Sequence, residues 1–287
     1  MSSSERSFHI ITDSTADLPE ELKIQERIDI IPATITIHGE DFLDGVDLTK
    51  DEFLTKMDGG KALPTTAVPS PETFATLYRE KKGDILSIHV GSAFSGYWNN
   101  AMAAKAELDP EESRISVVDS ESTSVGIGFL ILEALRLRGE GKTRKEIADV
   151  LERLKKRITV LVSLNTFDNV EKGGRINKGQ KLLATALQVK PILELRSNVL
   201  EVKERPRTRR QSLARMIELV KGLGPLSHLA VIYVDTEIEA RTVAEQLKSF
   251  YDGTLLFVRT GSALSVHAGR GAVAVAAVQA ETQRGFA

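Results

Sequence analysis

Three short apolar runs constrain this chain more than any other feature. FHII at residues 8–11, ILSIHV at 85–90 and ISVV at 115–118 are rich in β-branched residues and lack strict apolar–polar alternation. A strand with one wet face alternates, whereas a strand covered by helices on both faces reads as a nearly continuous apolar run. The runs therefore predict a parallel, doubly wound sheet. Each empties into a hydroxyl-rich stretch: TDSTADLP, GSAFSGY and DSESTSVG. In such a sheet the loops at the strand ends share one edge, and ligands bind there.

Helical signals fall between the runs. Thr49 and Glu52 have the spacing of a capping box, and Ser70 precedes Pro71 as an N-cap precedes the first turn. Thr143 and Glu146 repeat the box ahead of one apolar stripe, Ile147, Val150, Leu151 and Leu154. Beyond residue 157 the pattern changes. ITVLVSL reads as a strand, PILELRSNVLEVKER as two alternating strands joined at Ser197 and Asn198, and TEIEARTVAEQLKSF as a capped helix between the strands LAVIYV and TLLFV. The expected architecture is α/β in two domains with the ligand between them. Residues 1–157 form a parallel doubly wound N-terminal domain and residues 158–287 a mixed α/β C-terminal domain. Near the end, SVHAGRGAVAVAAV is expected to set His267 before a Gly-x-Gly turn and an alanine-rich helix, whose unpaired N–H groups favour an anion.

Composition removes several functions. The 38 basic and 40 acidic residues nearly cancel, which argues against a nucleic-acid partner. The absence of cysteine excludes disulfides and thiolate chemistry. MSSSERSF has no apolar core and reads as no secretion signal, so a cytoplasmic location is expected. Residues 85–104 carry no charged side chain, but Ser87, His89, Ser92, Ser95, Asn99 and Asn100 argue against a membrane span.

Familiar catalytic spacings fail. GEGKT at 139–143 has Arg136 where a phosphate loop needs glycine, and Ile131 stands where a dinucleotide fingerprint starting at Gly126 needs its third glycine. Ser95 is flanked by Ala93 and Tyr97 in place of the glycines of a hydrolase elbow. The five histidines show no metal-ligand pairing, and no metal or cofactor is expected.

What remains is a set of loop hydroxyls and one histidine: Asp13, Ser14 and Thr15; Thr65 and Thr66; Ser92 and Ser95; and His267. Gly96 would let a ligand approach the backbone. Taken singly, a serine or threonine after a strand is most often a helix cap, and Asp13 or Asp119 a turn residue. Together, hydroxyls and a histidine without a paired nucleophile and base suit holding a carboxylate better than hydrolysing a bond.

ITDSTADLP, LPTTAVPSP, AFSGYWNNA, VVDSESTSVGIG, KGGRI, KPIL and HAGRGA stand in the order and spacing of the DegV family, and the chain resembles its bacterial fatty-acid-binding members of the FakB type from about Ile10 to Ala272. The resemblance implies two α/β domains around one long-chain fatty acid, with the tail buried and the carboxyl group near the surface. It also implies a separate fatty acid kinase that phosphorylates this carboxyl group, the acyl phosphate feeding phospholipid synthesis. Transient membrane contact without a transmembrane segment fits the same picture. The family's head-group residues fall on Thr66, Ser95 and His267, with Ser14 nearby. Gly174 and Arg175 match its Gly-Gly-Arg motif, and Arg207 its kinase-facing arginine.

Three departures lie at the head-group end. Thr-Ser-Gln-Pro is here Thr66, Ala67, Val68 and Pro69; Ser-Gly-Thr-Tyr is Ser95, Gly96, Tyr97 and Trp98; His-x-Gly-Pro-Gly carries Arg270 in place of proline. Arg270 either adds a cation beside the carboxylate or points into water. Against the carrier stand two other readings, an enzyme acting on a small acyl or phosphorylated substrate and a lipid-sensing regulatory module.

Overall fold

A computed structural model of the chain describes residues 8–58, 63–176 and 189–281. The N-terminal residues read above for a secretion signal therefore lie almost wholly outside it. Strands β1 (His9–Asp13), β2 (Asp29–Ile31), β6 (Ile85–His89) and β7 (Ile115–Asp119) form a parallel sheet in the order β2-β1-β6-β7. The side chains of β6 show why its sequence does not alternate. Ser87 and His89 face helices Pro71–Glu80 and Tyr97–Leu108, where Tyr78 donates to Ser87 at 2.8 Å and His89 stacks on Tyr97. Leu86 and Ile88 face helices Val125–Gly139 and Arg144–Leu154 on the other side, and all five residues of β6 are buried. The strand order reverses between β1 and β6, so their loops diverge and leave a crevice at the C-terminal edge.

The capping boxes form. Thr49 and Glu52 exchange bonds at the start of helix Lys50–Asp58, and Thr143 and Glu146 do the same ahead of helix Arg144–Leu154. Ser70 occupies its N-cap position, but its side chain makes no cap bond there. Ile147, Leu151 and Leu154 are buried, with Val150 at the edge of the stripe.

A second, antiparallel sheet of three strands goes beyond the sequence reading. It joins β3 (Thr34–Ile37), β4 (Glu40–Leu43) and β5 (Thr65–Ala67) in the order β4-β3-β5. The LPTTAVPSP segment, expected as a loop, thus contains an edge strand in which Thr66 pairs with Ile35.

The third sheet is mixed: β10 (Val199–Glu204), β9 (Ile192–Arg196), β8 (Ile158–Ser163), β13 (Val273–Gln279), β11 (Leu226–Tyr233) and β12 (Leu255–Arg259), in that order. The hairpin at Ser197 and Asn198 is present, both residues having positive φ (48° and 62°) as a two-residue turn of the primed type requires. Alternation along these strands divides the sheet. Leu161, Leu229, Val231 and Val275 pack under helices Arg209–Lys221 and Glu237–Lys248, while Val160, Leu193, Ile232 and Ala276 join the core shared with the first sheet.

The expected alanine-rich helix after His267 is a correction. Residues 273–279 form β13, hydrogen-bonded on both sides, and the helix is Ser262–Ala268, with His267 in its last turn. Val273, Val275 and Val278 favour a strand, and two antiparallel partners override the helix preference of the intervening alanines. The helix-start anion site read there therefore does not exist. No helix among the described residues is long and apolar enough to cross a membrane.

Candidate ligand site

Between the inner face of the third sheet and the strand-end loops of the first lies a cavity open to solvent, with about 1170 Å³ of empty space counting its mouth. Its long wall is apolar, built from Val160 and Val162 of β8, Leu193 and Leu195 of β9, Leu200 of β10 and Ile232 of β11. Small residues make the room. Ala272 and Ala274 stand at the start of β13, and helix Ser262–Ala268 turns Ala263, Leu264, His267 and Ala268 toward the same space. These helix positions recur at the spacing of one face.

Thr66, Ser95, Arg175 and His267 line this cavity together. Thr66 comes from edge strand β5, and its Oγ1 lies 2.9 Å from His267 Nε2. Ser95 sits in the turn after β6, closed by the Phe94 N–H on the Gly91 carbonyl at 2.9 Å. The guanidinium of Arg175 ties this turn to its own segment, donating to the Phe94 carbonyl in the turn and to the Gly173 carbonyl two residues before it. Gly173 itself must be small, because a Cβ there would stand 2.7 Å from His267 Nδ1. Four groups from four parts of the chain thus converge.

Their electrostatics differ. Burial, and after it the neighbouring Arg175 guanidinium, push the His267 pKa down to about 4. The ring is neutral at pH 7 and can exchange hydrogen bonds without supplying charge. Arg175 supplies the charge. Burial lowers its pKa and no carboxylate among the described residues offsets this, yet a guanidinium stays protonated in a protein. A half-buried cation beside two hydroxyls and a neutral imidazole has the donors to receive an anion, and a planar carboxylate would match them.

The other site candidates divide between the cavity and its surroundings. Ser14 does not line the cavity. It borders a separate groove with Asp17 and Asp44, and its Oγ accepts the Ala33 N–H at 3.1 Å. Its neighbour Thr15 lines the cavity instead, with its hydroxyl bound to Asp13 Oδ1. Gly96 is the N-cap of helix Tyr97–Leu108, between the lining residues Ser95 and Tyr97, and a Cβ there would have 4.0 Å to Val68. Asp13 and Asp119 are turn holders. Asp13 Oδ2 accepts the Val90 N–H at 2.9 Å, and Asp119 takes both the N–H and the hydroxyl of Ser92. Ser92 is thereby spent within the protein.

Of the departures from the family pattern, Ala67, Val68 and Tyr97 line the cavity, but Arg270 does not. Arg270 does neither of the two things expected of it. It bonds Asp58 and Asp235 and fastens helix Lys50–Asp58 to the turn before β13. Arg207 is exposed and stands outside the cavity lining, as do Arg205 and Arg210.

Sequence reasoning missed Ser124 and Thr260, which line the cavity and both donate to the buried Asp17 carboxylate, Ser124 at 2.6 Å. The signal was available. FVRTGSALS repeats the pattern of a strand emptying into hydroxyls that marks the first three loops.

A family model described as "Uncharacterised protein, DegV family" matches residues 7–280. Protein DegV of Bacillus subtilis is 31% identical over 276 residues, covering 93% of this chain and 97% of its own. A DegV domain-containing protein of Caldanaerobacter subterraneus is 32% identical over 274 residues, covering 93% and 96%. Among solved structures, a fatty-acid-binding DegV family protein of Thermus thermophilus superposes with a TM-score of 0.85 at 28% identity, over 95% of this chain and 99% of that one. DegV of Bacillus subtilis, described as a fatty acid binding protein, gives 0.83 at 29% identity over 95% and 99%.

Proposed function

The chain belongs to the DegV family, and from that premise we propose that it binds one long-chain fatty acid and presents the carboxyl group to a separate kinase for acyl-phosphate formation. The observation that carries the reading is the composition of one cavity, apolar along its wall and furnished with Thr66, Ser95, His267 and the Arg175 cation. Burying about fourteen methylenes at about 0.8 kcal/mol each favours binding by about 11 kcal/mol before the costs of association. A net contribution of about 0.5–1.5 kcal/mol per neutral hydrogen bond is small beside that. The tail holds the ligand and the polar groups fix where its reactive end lies. Relatives in Thermus thermophilus and Bacillus subtilis described as fatty-acid-binding support the same assignment.

The cavity argues against catalysis by the chain itself. Thr66 and His267 resemble a nucleophile and its base, but an imidazole with a pKa near 4 is a poor base at neutral pH, and its Nδ1 has no hydrogen-bond partner among the described residues to orient it. Mass spectrometry of an organic extract of freshly purified protein tests the assignment. About one long-chain fatty acid per chain is expected. Extracts without stoichiometric lipid, together with no fatty-acid binding after delipidation, would overturn it.

The partner surface is assigned to Arg207. With Arg205 and Arg210 it forms an exposed basic group at the junction between β10 and helix Arg209–Lys221, while Arg209 and Arg215 are engaged by Glu239 and Glu204. An exposed arginine can steer docking to an acidic surface without touching the acyl chain. Arg207→Ala is expected to leave fatty-acid affinity unchanged and to lower acyl-phosphate formation several-fold with the cognate kinase, added salt weakening the wild-type complex as well. Unchanged turnover would remove Arg207 from the partner surface, and lost lipid binding would move it into the ligand site.

A further inference from the structure

The cavity has a seam where the third sheet meets the loops of the first, and the tip of the β9–β10 hairpin crosses it. Asn198, in the left-handed conformation at that tip, donates from Nδ2 to Asp119 Oδ2 at 2.9 Å and to Ser92 Oγ at 3.2 Å. Its backbone N–H donates to the Glu121 carbonyl at 3.1 Å. Gly91 leaves the space for the amide, since a Cβ there would stand 2.3 Å from Asn198 Oδ1. The acceptor side is braced in turn. Lys155, 5% exposed, reaches the Asp119 carbonyl and pairs with Glu121.

The two walls joined by this contact both face the ligand space. Leu195 and Leu200 sit opposite each other in the hairpin register and line the cavity, and Phe94 and Ser95 line it from the turn that Gly91 begins. Neither Asn198 nor Asp119 borders the cavity itself. We propose that Asn198 is a latch: a positioning residue that holds the hairpin wall against the strand-end turn and so sets the rate at which an acyl ligand leaves. The proposal rests on the fatty-acid reading of the same cavity.

The chemistry of the contact supplies the test. An amide donor satisfies the Asp119 carboxylate, whereas a carboxylate at position 198 would meet it at hydrogen-bond distance, and such a pair holds together only if the two share a proton. The charged groups around the position are Asp119 at the end of β7, Glu121 in the loop after it, and Lys155 and Lys156 following helix Arg144–Leu154. Release of cis-parinaric acid into excess phosphatidylcholine vesicles is followed by stopped flow for wild type, Asn198→Ala and Asn198→Asp.

Asn198→Asp is expected to release the acid at least about tenfold faster than wild type at pH 7.5. At pH 5.5 its rate should return toward wild type, while Asn198→Ala stays several-fold faster at both pH values. Amide hydrogen exchange on the empty proteins reads the latch without ligand. At pH 7.5, residues 91–95 and the hairpin tip should exchange faster in Asn198→Asp while β8, β11 and β13 keep their protection. Equal release rates in all three proteins, or unchanged exchange at the tip, would overturn the latch. A wild type that takes up neither parinaric acid nor any saturated or unsaturated long-chain acid would instead sink the fatty-acid reading, and the exchange comparison would still decide the latch.

Discussion

Val162→Phe is expected to weaken fatty-acid binding by roughly 200-fold while leaving the empty protein folded and no less stable. Val162 lies on the inner face of β8, paired with Leu193 on one side and Ala274 on the other, and all three residues line the cavity. A phenyl ring at that position projects into the space the acyl chain must cross. Excluding about four methylenes at about 0.8 kcal/mol each forfeits about 3 kcal/mol, a loss of roughly 200-fold in affinity. Filling an apolar void has the opposite sign for the empty fold, because the ring gains contacts that the valine leaves unmade. Fatty-acid titration and thermal melting of delipidated protein separate the effects. Retained affinity would show that the tail does not run along β8, and a lowered melting temperature would show overpacking in place of blockage.

The parallel sheet was legible because burial on both faces leaves a continuous apolar run, as β6 shows most fully. The capping boxes at Thr49 and Thr143 were legible for a similarly local reason, since their partners lie three residues away. The antiparallel sheet of β3, β4 and β5 was not. Its strands are three or four residues long, and β5 reaches β3 across an intervening strand and helix, a contact that local pattern does not encode. Residues 273–279 misled for the same reason in reverse, because alanines that read as helix formers occupy a strand paired on both sides.

At the site, spacing identified which loops carry hydroxyls but not which hydroxyl in a loop faces inward. In DST the adjacent residues diverge: Asp13 turns back to Val90, Ser14 to Ala33, and Thr15 borders the cavity. Arg270 shows the same limit. Its place three residues after His267 suggests a cation in the site, yet Asp58 and Asp235, from other parts of the chain, take it.

Thr66→Val and Ser95→Ala are each expected to weaken fatty-acid affinity about 10- to 150-fold, from a loss of about 1.5–3 kcal/mol per hydrogen bond to a charged group. Valine keeps the shape of threonine, so Thr66→Val tests the hydroxyl alone. It also strips His267 Nε2 of its partner in the empty protein, and the ring's Nδ1 already lacks one among the described residues. The valine variant should therefore lose some stability when empty, a cost that Ser95→Ala does not share, because it leaves the Thr66–His267 contact in place. In both variants the apolar wall is intact and the tail still contributes most of the binding energy. Affinity for a fatty acid should then fall toward that for its methyl ester, which lacks the charge, and the gap between acid and ester should narrow in each variant. Calorimetric titration of acid and ester against the three proteins measures that gap. An unchanged gap in both variants would place the carboxyl group at another part of the cavity, with Thr15, Ser124 and Thr260 the next hydroxyls to substitute.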